Sequence, residues 1–170
     1  MKKITTRNLV RIALLSGLSY IFFMWEFKIV DPLQFDFSDV FVIIAGYTMG
    51  IGPGLLVALI KNILHLLLKN SQLIGELTNF VYASLVMIPL VMVKPKTTLK
   101  RIAWYVGVIL FVTLSINVFN YFISMPIYKI AQEIRMDMIL YTFIPFNIIK
   151  TTLIILVFNL IYPVFNRMLS

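Results

Sequence analysis

The chain has 170 residues, 61% of them apolar and 13% charged, where a soluble domain carries about 45–50% and about 25%. With a mean hydropathy of +0.96, a water-soluble fold is excluded, and the length makes one domain, residues 1–170, the default. The net charge of +8 does not read as a nucleic-acid surface, because the basic residues sit at the ends of apolar runs; absent cysteine excludes disulfides and thiolate sites, and a single His excludes an HExxH metal centre.

The N-terminal Met1-Lys2-Lys3 resembles the basic start of a signal peptide, but no small-x-small cleavage site leads into a polar mature domain, so it reads as a retained first helix over Leu9–Phe27. Ala13 and Gly17 on it form a small-xxx-small pair that lets a helix approach closely, most commonly through internal packing. The loop Lys28–Ser38, with Pro32, then runs through Phe35-Asp36-Phe37-Ser38-Asp39 into a second helix, Val40–Met49. Ser38 or Asp39 reads as an N-cap for orphan backbone amides, or the loop reads as a lid with Leu33, Phe35 and Phe37 turned inward over a ligand. From Val40 to Leu68 the 29 residues are too long for one perpendicular span at about 1.5 Å per residue. Gly50-Ile51-Gly52-Pro53-Gly54 divides them, glycine admitting positive φ and proline interrupting the helical ladder.

The third helix, Gly54–Leu68, carries Lys61 and His65 four apart and so on one face. One His with no adjacent carboxylate lacks the ligands for a metal; the pair reads as a structural polar contact near the helix's outer end, with Lys61 meeting an acid of an external loop. Before the fourth helix, Thr78–Val93, stand Gly75-Glu76-Leu77-Thr78-Asn79-Phe80. Glu76 and Asn79 either cap the helix and turn the chain or lie at an external rim where a solute enters. The fifth helix, Ile102–Ile123, holds Asn117 and Asn120, for which interhelical bonding is the plain account, worth about 0.6 kcal/mol on average in one measured membrane protein. On the sixth, Ile139–Phe165, Asn147 and Lys150 are three apart and share a sector. An ionisable group at depth costs about 2.5–3.5 kcal/mol on insertion scales and marks function. No carboxylate is expected at the depth of Lys150, so a ligand acceptor or backbone carbonyls should meet its ammonium.

Six helices satisfy the positive-inside rule. With the N-terminus inside, the cytoplasmic segments hold Lys2, Lys3, Arg7, Arg11, Lys94, Lys96, Lys100, Arg101 and Arg167 and no acid, whereas the external ones hold all seven acids with Lys28, Lys69, Lys129 and Arg135. Five helices would put Lys94–Arg101 outside. The fold class is therefore all-α membrane protein, six helices, both termini cytoplasmic. No P-loop, intramembrane acid for a proton relay or Ser/His pair is present, so the chain reads as a binding or transport protein and not an enzyme.

Six stretches then carry a resemblance: Asp36-Phe37-Ser38-Asp39-Val40, Gly50-x-Gly52-Pro53, Lys61-Asn62-x-x-His65, Gly75-Glu76-Leu77-x-Asn79-Phe80, Asn120-Tyr121-Phe122-x-x-x-Pro126-x-Tyr128 and Pro145-Phe146-Asn147-x-x-Lys150. In this order, across nearly the whole chain, they resemble the riboflavin-specific S component of energy-coupling factor (ECF) vitamin importers. The resemblance implies a multi-pass protein of the bacterial plasma membrane that captures riboflavin outside, with no cofactor of its own. It further implies docking on a transmembrane coupling protein with two ATPases, whose ATP hydrolysis topples the S component and releases vitamin inside. The loop after helix 1 is then the gate, Asn120, Asn147 and Lys150 hold the flavin, and Ala13 and Gly17 face the coupling protein. Phe35, Phe37, Asp39, Glu76 and Asn79 complete the expected ligand set from the loop and rim. Two positions depart from the family's pattern: Gly17 stands where a second alanine is usual, and Thr151, not glycine, follows Lys150. The chemistry fits independently, since a flat apolar ring suits Phe-, Tyr- and Met-rich walls. The flavin's pyrimidine edge presents two carbonyls flanking an N–H, which an amide and an ammonium can meet. The alternatives are an S component for another flavin or vitamin, and a stand-alone secondary transporter. The latter often shows internal repeats and coupling-ion carboxylates, and neither is apparent.

Overall fold

Thr5 starts the first helix, α1 (Thr6–Met24), by accepting the Asn8 backbone N–H at 3.4 Å. The computed structural model describes residues 5–30, 33–69 and 71–169; Lys2 and Lys3 of the charge count and Asp31 and Pro32 of the following loop lie outside them. After α1 the chain forms an element the sequence reading lacked, an antiparallel hairpin of β1 (Phe27–Val30) and β2 (Leu33–Phe35), with Phe27 opposite Phe35. The fold is otherwise helical.

The second helix, α2 (Asp39–Met49), ends at Gly50, whose φ of 103° favours a residue without a Cβ. The third, α3 (Ile51–Lys69), starts at the next residue, so the expected break is a single position. Pro53 falls in its first turn, where a missing N–H costs nothing. A Cβ on Gly54 would stand 2.9 Å from the Gly46 Cα, so these two glycines bring α2 and α3 backbone to backbone. Then come α4 (Leu73–Met92) and α5 (Thr98–Ile127). The last helix, α6, is built from Gln132–Met138, a π-helical stretch Ile139–Phe143 and Ile144–Leu169. All three exceed the expected spans. Charge-free runs set those limits, yet Glu76, Lys100, Arg101, Glu133 and Arg135 all lie in helix: Lys, Arg and Glu are good helix formers and carry a helix into the interface.

Five of the helices are long and apolar enough to cross a membrane, and α2 is shorter. Apolar all round, α2 is the kind of helix that belongs inside. Val40 through Ala45 are at most 3% exposed, packed among α1, α3, α4 and α6. The outer faces carry exposed Leu110, Leu114, Leu156 and Leu160, which suit lipid and not water. The end of α1, the start of α4, the end of α5 and the start of α6 meet at one end of the bundle. The Lys94–Arg101 connection lies at the other.

Candidate functional site

Where those helix ends meet, and the hairpin covers them, lies a cavity of about 650 Å³, within the range of about 300–1,000 Å³ typical of small-molecule sites. Local backbone shapes its wall. Residues Asn120–Ser124 of α5 and Ile139–Phe143 of α6 are π-helical, a wider turn frequent at functional positions. They bring Asn120, Ser124 and Phe143 to the cavity. Phe23, Tyr82, Ile116, Met125 and Phe146 add apolar and aromatic surface; Thr78, Asn79, Asn147 and Lys150 add polar groups. The Asn120 side chain makes no hydrogen bond among the described residues, and Asn147 makes one, donating to Asn117 Oδ1 at 3.4 Å. Thr78 and Ser124 share a 2.9 Å hydroxyl contact, while the buried Asn79 Oδ1 has no hydrogen-bond partner among the described residues.

Four buried charges, two of each sign, sit together here, Asp36 and Lys150 at the cavity wall and Lys61 and Asp39 behind it. Lys61 of α3 donates to the Asp39 carboxylate and the Ser38 hydroxyl, with neither Lys61 nor Asp39 exposed. Lys150 donates to Asp36 Oδ2 at 3.2 Å and lies 3.9 Å from Asp39 Oδ2 and 4.8 Å from the centre of the Tyr82 ring. The other Asp36 oxygen accepts both the Ser38 backbone N–H, at 2.9 Å, and the Ser38 hydroxyl. Ser19 of α1 donates to the Ser38 carbonyl at 2.8 Å and so pins the hairpin's exit to α1. Isolated buried charges are prohibitive, and this alternation of sign offsets part of the penalty. Burial raises the Asp36 carboxyl, but the Lys150 and Lys61 ammonium groups and the Ser38 donors outweigh it, holding Asp36 below the usual 3.8 and thus anionic at neutral pH.

At the mouth, His65 stacks on Phe23 with ring centres 3.9 Å apart and joins Glu76 Oε1 through Nδ1 at 2.6 Å. Ser71 donates to the same oxygen at 2.6 Å, and Lys69 pairs with Glu26. The reading of His65 as a structural contact fits this geometry. No group of three metal-ligating side chains occurs among the described residues.

Of the residues expected to meet a ligand, Asn120, Asn147, Lys150, Glu76 and Asn79 line the cavity; Phe35, Phe37 and Asp39 do not. Lys28, Leu33 and Gln34 represent the hairpin there. The chain turns at Asp36–Ser38 to enter α2, so Phe35 and Phe37 pack edge to face on each other at 4.8 Å, and Asp39 is drawn to Lys61. The capping reading also fails: neither Ser38 nor Asp39 makes a side-chain cap bond, since both side chains are spent on the charge cluster. Glu76 and Asn79 lie inside α4, which begins at Leu73, and do not cap it. A further correction concerns Lys150, for which no carboxylate was expected: Asp36 reaches it from 114 residues away. Internal packing does not explain the α1 pair, because Ala13 is exposed and a Cβ at Gly17 meets nothing within 4 Å. Sequence reasoning gave no role to Asp36, Tyr82, Thr78, Ser124 or Glu26. Asp36 had a signal, since two lysines at depth require two acids and Asp36 and Asp39 flank the start of the most apolar helix.

Residues 7–162 match the family described as ECF transporter, substrate-specific component. The chain belongs to this family. It is 32% identical over 168 residues to a riboflavin transporter RibU of Staphylococcus aureus, covering 92% of this chain and 88% of that protein. It is 28% identical to a riboflavin transporter FmnP of Bacillus subtilis, covering 92% and 90%. A solved chain reported under "Structure and mechanism of the S component of a bacterial ECF transporter" superposes with a TM-score of 0.79 at 28% identity, covering 96% of this chain and 97% of that one. This substrate-specific component is a multi-pass protein of the cell membrane.

Proposed function

We propose that the chain is the riboflavin-binding S component of an ATP-driven importer, with both termini cytoplasmic and the cavity opening outside. The observation that carries this is the convergence of Asn120, Asn147 and Lys150 on one aromatic-walled cavity. Two amides and an ammonium offer donors to both carbonyls of a flavin's pyrimidine edge and an acceptor to the N–H between them. Phe23, Tyr82, Phe143 and Phe146 supply faces and edges for the ring. Thr78, Ser124 and the unpartnered Asn79 carbonyl suit a polyhydroxyl chain nearer the mouth. The names of the relatives support riboflavin over other vitamins.

Transport against a gradient requires an energy source, and no P-loop occurs in the sequence. A coupling protein and two ATPases supply it in this reading, with the outward-facing Ala13 and Gly17 on α1 as the surface that admits a neighbouring helix closely. Lys94, Lys96, Lys100 and Arg101, at the end away from the cavity, then face the cytoplasm.

Titration of the purified protein with riboflavin, followed by quenching of flavin fluorescence, is expected to show saturable binding, and liposomes holding this chain alone are expected to show no uptake. Absence of flavin binding by folded protein overturns the ligand; uptake by the chain alone overturns the subunit assignment.

A further inference from the structure

Lys150 reaches the cavity wall with its ammonium already engaged. One of its three N–H bonds points to Asp36 Oδ2 at 3.2 Å, and its charge lies over the Tyr82 ring, so the remaining donors are those a ligand can use. A lysine side chain has four rotatable bonds and a flexible stem. Alone it would not hold a donor at one point in a cavity of about 650 Å³. Asp36 can hold it there, because Asp36 is itself immobilised: its Oδ1 takes the Ser38 backbone N–H and the Ser38 hydroxyl, that hydroxyl also takes a bond from Lys61, and the Ser38 carbonyl takes one from Ser19. At 1% exposure, with Oδ2 aimed at the ammonium, Asp36 has no other cation within hydrogen-bond distance among the described residues.

The two halves of the charge cluster therefore differ in kind. Lys61 and Asp39 are absent from the cavity wall and tie α3 to α2, whereas Asp36 and Lys150 both line it. We propose that Asp36 is a positioning residue of the binding site: it acts on the substrate through Lys150, fixing and neutralising the ammonium that the substrate's carbonyl receives. Because Asp36 lies between β2 and α2, the same contact makes a correctly placed hairpin exit a condition of tight binding. This rests on the reading of the cavity as the riboflavin site.

The test is a double-mutant cycle on riboflavin affinity, measured by flavin fluorescence quenching in detergent, with D36N, K150M and D36N/K150M beside the wild type. D36N keeps an acceptor for Ser38 and removes the charge. It is expected to weaken binding about 10-fold, the scale of one hydrogen bond to a charged group. K150M is expected to lose at least as much. In the K150M background D36N should change affinity less than about twofold, because residues acting through one another are not additive. The absorption band of bound riboflavin should shift the same way in D36N as in K150M. If D36N alone does not fold, the comparison of K150M with D36N/K150M still decides. Equal affinity supports the inference, and a further 10-fold loss overturns it by showing that Asp36 acts on the ligand or the fold independently of Lys150. A wild type that binds no riboflavin overturns instead the functional reading on which this depends.

Discussion

Removing the ammonium of Lys61 tests whether the buried charge cluster is the frame of this fold. Lys61 and Asp39 are both fully buried and directly paired. In K61M, Asp39 keeps only Lys150 nearby, 3.9 Å from an oxygen that has no hydrogen bond, and the Ser38 hydroxyl loses a donor. Removing one member of a buried pair costs about 3–5 kcal/mol, because the other charge stays buried without compensation. At about 2–4 °C per kcal/mol for a chain of this size, the ligand-free melting temperature should fall by roughly 6–20 °C. The double variant D39N/K61M removes both charges and should recover most of that loss, since a buried pair and a neutral replacement of similar shape are often equally stable. Thermal unfolding of detergent-solubilised wild type, K61M and D39N/K61M, followed by size-exclusion or circular dichroism, makes the comparison. A K61M variant melting within about 2 °C of the wild type, or a double variant no more stable than K61M, would refute the reasoning.

N120L and N147L should each weaken riboflavin binding about 5-fold or more, as expected for losing hydrogen bonds at near-constant volume. If these amides meet the pyrimidine edge, mutant and wild type will differ less for a flavin altered there, and equal losses for both ligands would place them elsewhere. G54A puts a methyl 2.9 Å from the Gly46 Cα and should destabilise the α2–α3 pairing by about 1–3 kcal/mol, read as a lower melting temperature; an unchanged melt refutes the close-approach argument. A13L/G17L should bind riboflavin normally but fail to co-purify with the coupling protein and ATPases, because the added side chains hold a neighbouring helix off. Joint loss of stability and flavin binding would instead mean that this face packs inside the bundle.

The elements legible in the sequence follow local rules. Gly50 breaks the 29-residue apolar stretch because, without a Cβ, it takes φ 103° freely. The all-apolar α2 declares itself central by lacking a polar face. The hairpin was hidden because β1 and β2 are too short to show a period of two, and Lys28 and Gln34 read as loop polarity. The π-helical stretches leave no compositional mark either: the bulge at Asn120–Ser124 turns on backbone hydrogen bonding, not on residue type.

What local reasoning missed in the site is pairing between distant segments, and one physical rule reaches part of it. Lys61 and Lys150 both lie in apolar helices, and a charge at such depth persists only with a partner. With Asp36 and Asp39 at the entrance to α2, charge balance is met when the chain leaving the hairpin folds down against α3 and α6. That is the observed arrangement, with Asp39 meeting Lys61 and Asp36 meeting Lys150. Treating Asp36 and Asp39 as loop acids and Lys150 as a lone cation leaves two unexplained sets of charges. Treating them together places the hairpin exit at the base of the cavity, where a residue outside the helices can set the position of a donor within them.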